Sequence, residues 1–187
     1  MTGLLVVIIG PSGVGKDTIL AALTQRLPNA HKLRRHITRP AELGGEDYIS
    51  ITQDAFDTMK RRGEFILDWQ AHGLSYGVHR DMQTSLDLGK TLLLNGSRGA
   101  LSQVFEAFPG AQVYSITAQT EELRKRLIAR GRESAQDIER RLERAAAYAV
   151  PDHANVTAID NSGDVDTAVA QIYSHLSNFA SQKAFLS

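Results

Sequence analysis

Cysteine is absent from the chain, which excludes disulfides, thiolate metal sites and a cysteine nucleophile together. That absence fits a reducing cytoplasm. An excess of charge is missing too: 21 basic and 21 acidic residues leave a formal net charge of zero. No whole-molecule field therefore draws the chain to nucleic acid or to a membrane surface. The apolar run from Leu4 to Ile9 is far too short to span a bilayer, and it lacks the basic start and small-residue cleavage site of a secretory signal. The six histidines are scattered, with no H-x-x-x-H pair on a helix, which argues against a dedicated transition-metal site. Nothing in the sequence selects an oligomeric state.

What remains is a chain of 187 residues with 42% hydrophobic content, enough to bury the core of one domain over residues 1–187. Leu4 to Ile9 is a continuous β-branched and leucine-rich run followed by glycines, the pattern of a strand buried on both faces of a parallel sheet. Similar runs at Thr91 to Leu94, Val113 to Ile116 and Val156 to Ile159 are separated by helical stretches, so the expected class is α/β with a central parallel sheet flanked by helices. Between Thr38 and Val78 the text changes, with Gly44, Gly45, Gly63, Gly73 and Gly77 around a helix-like Gln53 to Arg62. This stretch reads as an inserted substrate-binding subdomain. Helical charge spacing follows at Thr120 to Arg130 and at Ser134 to Tyr148, joined by Arg130-Gly131-Arg132, with Ser134 and Asp137 in capping-box positions.

The strongest motif is Gly10-Pro11-Ser12-Gly13-Val14-Gly15-Lys16, a G-x-x-x-x-G-K segment placed after a strand and before an amphipathic helix from Thr18 to Leu27. Glycines let consecutive backbone N–H groups turn inward around a phosphate, the helix N-terminus adds positive potential, and the lysine reaches the outer phosphates. The donor is expected to be ATP with Mg²⁺. The residue after the lysine is Asp17, where the motif has a hydroxyl residue. A carboxylate beside phosphates is repulsive unless a cation lies between them. The metal ligand is therefore Asp17, directly or through water, or Thr18 with Asp17 turned away.

Arg34, Arg35, His36 and Arg39 lie within six positions, and Tyr48 and Tyr76 follow near glycines. Guanidinium forks and phenolic hydroxyls suit phosphate oxygens; taken alone the cluster is either an anion site or a solvated face, and its place after the phosphate-loop helix favours an anion site of Arg35, Arg39, Tyr48 and Tyr76. Asn95, Ser97 and Arg98 follow the carboxyl end of an expected strand, where open α/β sheets place ligands; sugar or phosphate contacts are expected there. Trp69 either walls this pocket or belongs to the core.

The order of these motifs resembles the guanylate kinase family over nearly the whole chain. Thr38-Arg39-Pro40, Gly45-Glu46-Asp47-Tyr48, Gly63-Glu64-Phe65 and Gly73-Leu74-Ser75-Tyr76-Gly77 are similar to that family's acceptor-binding subdomain, here about 38–78. The stretch about 124–141 is similar to its lid. The resemblance implies a P-loop NTPase fold of guanylate-kinase type, adenine near Ile159 to Asn161, and lid arginines Arg126, Arg130 and Arg141 beside Lys16 as catalytic groups.

The departures narrow the acceptor. Counting back from Tyr76-Gly77, the family's guanine-recognising glutamate falls on Leu67, its hydroxyl residue after Y-G falls on Val78, and its second clamp arginine falls on Glu42. A site built to hydrogen-bond a base discriminates by orders of magnitude, so GMP is not the expected acceptor. Gly10 to Asp17, Arg35 to Arg39, Trp69 to Val78 and Leu93 to Arg98 together resemble the ribose 1,5-bisphosphate phosphokinases. That resemblance implies ATP-dependent conversion of ribose 1,5-bisphosphate to 5-phospho-α-D-ribose 1-diphosphate, as in phosphonate metabolism, with no base catalyst required. A nucleoside monophosphate kinase and a non-catalytic binding module are the alternatives; Lys16 and the loop glycines oppose the second.

Overall fold

The computed structural model describes residues 3–40, 46–131 and 134–185; Glu42, Gly44, Gly45 and Arg132 lie outside the described residues. A five-stranded parallel sheet runs in the order β2 (Ala30–Lys32), β7 (Thr91–Asn95), β1 (Leu4–Ile9), β8 (Gln112–Thr117), β9 (Val156–Asp160). The first apolar run is thus the middle strand. Five consecutive residues of β1 are buried, which requires cover on both faces and explains why its sequence shows no polar alternation. The chain forms two compact units, one of Met1–Val7 with Asn29–Gln112, the other of Ile8–Pro28 with Val113–Ser187.

In the first unit a second sheet runs in the order β4 (Ile49–Ser50), β3 (His36–Ile37), β6 (Leu74–His79), β5 (Phe65–Ala71). Its hairpin β5–β6 turns on His72 and Gly73, with φ of 54° and 74°. Positive φ at both central residues is the requirement of the tight turn that matches strand twist. Trp69 pairs with Tyr76, and Leu67 with Val78, across this hairpin. The helix α2 (Gln53–Arg61) is capped by Thr52, whose hydroxyl accepts from the Ala55 amide at 3.2 Å. Phe56 is its buried anchor and meets Phe65, with ring centroids 4.9 Å apart. The helices α3 (Met82–Asp87) and α4 (Leu101–Ala107) complete this unit.

In the second unit α1 (Lys16–Arg26) lies against α7 (Val165–Phe185), burying Ile19, Leu20 and Leu23 on one side with Ala168, Val169, Ile172 and Leu176 on the other. Complete burial of one such aliphatic side chain contributes roughly 1.5–3 kcal/mol. Tyr114 of β8 is fully buried, and its hydroxyl meets His175 Nδ1 at 2.8 Å; burial raises the phenol well above its usual range. The helices α5 (Thr120–Arg130) and α6 (Ala135–Ala146) lie against each other. The Ser134 hydroxyl caps α6 by accepting from the Asp137 amide at 3.2 Å, as the capping box requires. No helix among the described residues is long and apolar enough to cross a membrane.

Candidate active site

The loop between β1 and α1 is shaped by glycines at positions where a side chain has no room. Gly10, Gly13 and Gly15 have φ of 145°, 92° and 93°, a region that disfavours any residue with a Cβ. A Cβ on Gly10 would lie 2.4 Å from the Ile116 carbonyl oxygen, one on Gly13 2.8 Å from Leu123, and one on Gly15 2.7 Å from Asn161 Nδ2. The turn is therefore held from outside by β8, α5 and the segment after β9. Inside it, Lys16 Nζ donates to the carbonyls of Gly10 at 2.9 Å and Pro11 at 2.8 Å, which folds the ammonium back over its own loop. Helix α1 begins at Lys16, two residues earlier than its apolar pattern indicates, because Gly15 in the left-handed conformation ends the loop there.

Asn161 is the residue here that sequence reading did not single out as a side chain. It is 2% exposed, and its Nδ2 donates to the Val14 carbonyl at 2.7 Å. Its Oδ1 is buried with no hydrogen-bond partner among the described residues. The amide thus supports the loop from beneath, a role that depends on a contact 147 positions away in sequence.

Of the three expected lid arginines, Arg141 reaches the loop: its Nη1 donates to Ser12 Oγ at 2.9 Å. Arg126 is directed elsewhere, with Nε on Glu122 Oε1 at 2.9 Å and Nη2 on the Gly163 carbonyl at 3.3 Å. Arg130 ends α5, and its side chain lies outside the described residues. Asp17 is half-buried in the first turn of α1, and Thr18 beside it is exposed. Both offer oxygen donors, which fit a hard divalent cation. The described residues contain no cluster of three or more His, Cys, Asp or Glu able to hold a metal. Such a cation would complete its shell with phosphate oxygens and water, the usual arrangement for Mg²⁺.

In the other unit, Arg35 is 6% exposed and forms a two-pronged ion pair with Glu46, Nε to Oε1 at 3.0 Å and Nη2 to Oε2. Asn95 Nδ2 donates to the same Oε2 at 3.0 Å. The Arg35 guanidinium also lies over the rings of Tyr76 and Trp69. Arg35 and Asn95, both expected substrate contacts, therefore meet on a carboxylate that the sequence named only as part of a motif. Trp69 is 6% exposed and stacked on Tyr76, so it belongs to the core.

Arg39 lies over the Tyr48 ring at 5.4 Å, while the Tyr48 hydroxyl donates to the Pro40 carbonyl at 2.7 Å. Arg34 pairs with Asp47 on the surface at 2.9 Å. Ser97 caps the short turn Arg98–Ala100, accepting from the Gly99 amide at 3.4 Å; Arg98 is exposed. His36 Nδ1 is buried without a hydrogen-bond partner among the described residues. Burial first, then the neighbouring His79 and Arg34, lower its pKa from 6.5, opposed by Glu64.

The family model for guanylate kinase matches residues 2–179. Among similar proteins, the ribose 1,5-bisphosphate phosphokinase PhnN of Pseudomonas fluorescens is 43% identical over 178 residues, covering 92% of this chain and 94% of that protein. Its namesake in Pseudomonas paraeruginosa is 41% identical over 178 residues, covering 94% and 96%. That of Rhizobium etli is 41% identical over 169 residues, covering 89% and 85%. Among solved structures, the guanylate kinase of Anaplasma phagocytophilum superposes with a TM-score of 0.69 at 22% identity, covering 95% of this chain and 86% of that one. At that identity the likeness concerns the fold.

Proposed function

The chain belongs to the guanylate kinase family, and from that premise we propose that it transfers the terminal phosphoryl group of ATP to ribose 1,5-bisphosphate, releasing ADP and 5-phospho-α-D-ribose 1-diphosphate. The observation that carries this reading over a nucleotide acceptor is the pair Leu67 and Val78. These are the positions to which the family resemblance assigns the guanine contacts. They face each other across β5–β6 and are 0% and 1% exposed. Two buried aliphatic side chains have no donor or acceptor for a base edge, and a base placed there would lose its hydrogen bonds to water without replacement.

Phosphoryl transfer proceeds through a loose transition state, so the protein contributes position and positive charge. The loop N–H groups and Lys16 hold the donor phosphates, and Lys16 exchanges its two loop carbonyls for phosphate oxygens. Asp17 or Thr18 would hold a divalent cation, which would supply charge neutralisation to the donor phosphates. Arg141 stands at the loop to meet the transferring group, with Arg126 and Arg130 of the same lid, about 124–141, joining it on closure. Within the acceptor subdomain, about 38–78, Arg39, Tyr48 and Tyr76 hold a phosphate, Arg35 lends charge to the pocket wall, and Asn95, Ser97 and Arg98 stand by the sugar. An oxygen of the acceptor 1-phosphate attacks the terminal phosphorus as the bond to the bridging oxygen breaks, and ADP leaves with that electron pair. The attacking oxygen is already largely ionised near neutral pH, so no residue has to remove a proton.

The test is ADP release with ATP and Mg²⁺, comparing ribose 1,5-bisphosphate with GMP, dGMP, UMP and AMP at equal concentration. Turnover restricted to the bisphosphate, with the diphosphate product identified, is the expected result. Preference for GMP would overturn the proposal.

A further inference from the structure

Trp69 and Tyr76 stand opposite each other in β5 and β6, with ring planes 3° apart and centroids 5.3 Å apart. Side-chain alternation puts the neighbouring pair Leu67 and Val78 on the same face. The face is thus aromatic and aliphatic, and the Tyr76 hydroxyl and the Trp69 indole N–H are the polar groups that these four side chains carry. A surface of this kind offers a stacking platform to any flat π system, nucleobases included, because every base has a π face.

In this protein a guanidinium lies on the platform. Arg35 Cζ is 5.0 Å from the centre of the Tyr76 ring and 5.8 Å from that of Trp69. A planar, weakly hydrated cation suits such a surface, but an arginine tethered by its stem alone would be displaced by a competing ring. Glu46 prevents that. Its carboxylate accepts from Nε at 3.0 Å and from Nη2, and it also accepts from Asn95 Nδ2 at 3.0 Å. The Arg35 and Glu46 side chains are 7% and 9% exposed. A base entering here would have to push out the guanidinium and strip the carboxylate of two of the three donors it has among the described residues, the costliest way to break such a pair.

We infer that Glu46 is a specificity-determining residue: by anchoring Arg35 across the Trp69–Tyr76 pair it closes the stacking platform to nucleobases and reserves the pocket for acceptors built of sugar and phosphate alone. This rests on the kinase reading above. It also gives Asn95 a positioning role, since its amide fixes the carboxylate that fixes the guanidinium.

Trp69 is the single tryptophan of the chain, so its fluorescence reports directly on what lies over the platform. The experiment titrates the full chain with GMP, AMP and ribose 5-phosphate while following that emission, and measures ribose 1,5-bisphosphate turnover on the same preparation. In the wild type, GMP and AMP leave the emission unchanged where the bisphosphate saturates turnover. In the Arg35→Ser/Glu46→Gln variant, which removes both charges and strands neither, GMP and AMP quench Trp69 with midpoints lowered about tenfold or more, the scale of one base–aromatic stack. Ribose 5-phosphate gains nothing.

Nucleotide midpoints in the folded double variant that match those of the wild type would overturn the inference. Should the double variant not fold, Glu46→Gln alone decides: it keeps the volume while loosening Arg35, and nucleotide quenching must strengthen there or the inference is wrong. A wild type that turns over GMP in place of the bisphosphate defeats both the kinase reading and this one. A wild type that uses the bisphosphate, beside variants that still exclude nucleotides, defeats this one alone.

Discussion

Replacing Gly15 with alanine tests whether the phosphate loop is held by Asn161. The position has φ 93°, and placing an L-residue with a Cβ there costs about 1–2 kcal/mol through backbone strain alone. The new Cβ also falls 2.7 Å from Asn161 Nδ2, closer than non-bonded atoms approach. Asn161 must then withdraw, breaking its 2.7 Å bond to the Val14 carbonyl, and a buried acceptor left unpaired costs about 1–3 kcal/mol. The sum is about 2–5 kcal/mol, which lowers Tm by roughly 5–20 °C for a chain of this length.

The two contributions separate in a double-mutant cycle with Asn161→Ala. That variant breaks the same bond by itself, so in Gly15→Ala/Asn161→Ala the loss is counted once and the clash is gone, while the φ strain stays. The double variant should therefore be about 1–3 kcal/mol more stable than additivity gives, within the range found for residues in contact. Thermal denaturation of the four proteins measures this. Simple additivity within about 0.5 kcal/mol would show that Asn161 is not the obstacle and that the loop is shaped by its own backbone. Gly15→Ala should also lower kcat on the order of 10²-fold, since a displacement near 1 Å of groups holding the donor has that effect.

The lid arginines should separate by their present partners: Arg141→Ala, beside Ser12, lowers kcat by about 10³-fold or more. Arg126→Ala, whose donors are engaged by Glu122 and Gly163 and must leave them before Arg126 joins the transferring group, should fall by a smaller factor in the same assay; an equal loss would mean that this exchange of partners carries no cost. Asp17→Ser should raise the Mg²⁺ concentration for half-maximal turnover by about tenfold or more, the scale on which metal sites respond to loss of a supporting group; an unchanged midpoint would assign the cation to Thr18. The His36 pKa is lowered in the folded chain, so the unfolded state takes up its proton first as the pH falls. The neutral imidazole's contribution to stability is complete above 6.5 and is lost on acidification toward the folded pKa. Chemical denaturation at a series of pH values should show His36→Gln with a shallower loss of stability below that point than the wild type; parallel curves would refute the assignment.

The parts of the fold legible in sequence are those decided locally. The central strand Leu4–Ile9 and the helix Thr120–Arg130 announce themselves by an unbroken apolar run and by helical charge spacing, and Ser134 marks the start of its helix through a bond to a residue three positions on. The strand Ala30–Lys32 could not be read that way. It holds Ala30, His31 and Lys32, and it is a strand because each pairs with a residue of β7 about sixty positions away, Ala30 with Thr91 at its start. The two-residue strands His36–Ile37 and Ile49–Ser50 are likewise products of their neighbours, since no pattern of period two can be recognised in two residues.

The same division runs through the site, and it separates donor from acceptor. The phosphate loop is a local object: a strand, glycines at the positions with left-handed φ, a lysine and a helix start follow one another without a break from Leu4 to Lys16. Its chemistry is that of the backbone, so any sequence able to form the turn reveals it. The proposed acceptor side is assembled from single side chains that depend on one another. Arg35 looks like a phosphate ligand until Glu46, eleven residues on, is found to hold it, and Glu46 looks like a loop carboxylate until Asn95, forty-nine residues further, is found to donate to it. A buried charge is tolerable only when paired and hydrogen-bonded, so these three residues constrain one another more tightly than any of them is constrained by its neighbours in the chain. Substrate choice in such a kinase can therefore change through a few coordinated substitutions at distant positions while the phosphate loop stays as it is. For the same reason the apolar pair Leu67–Val78 tells only half of the story: it removes the polar contacts a base would use, and the ion pair over Trp69 and Tyr76 removes the surface on which a base would lie.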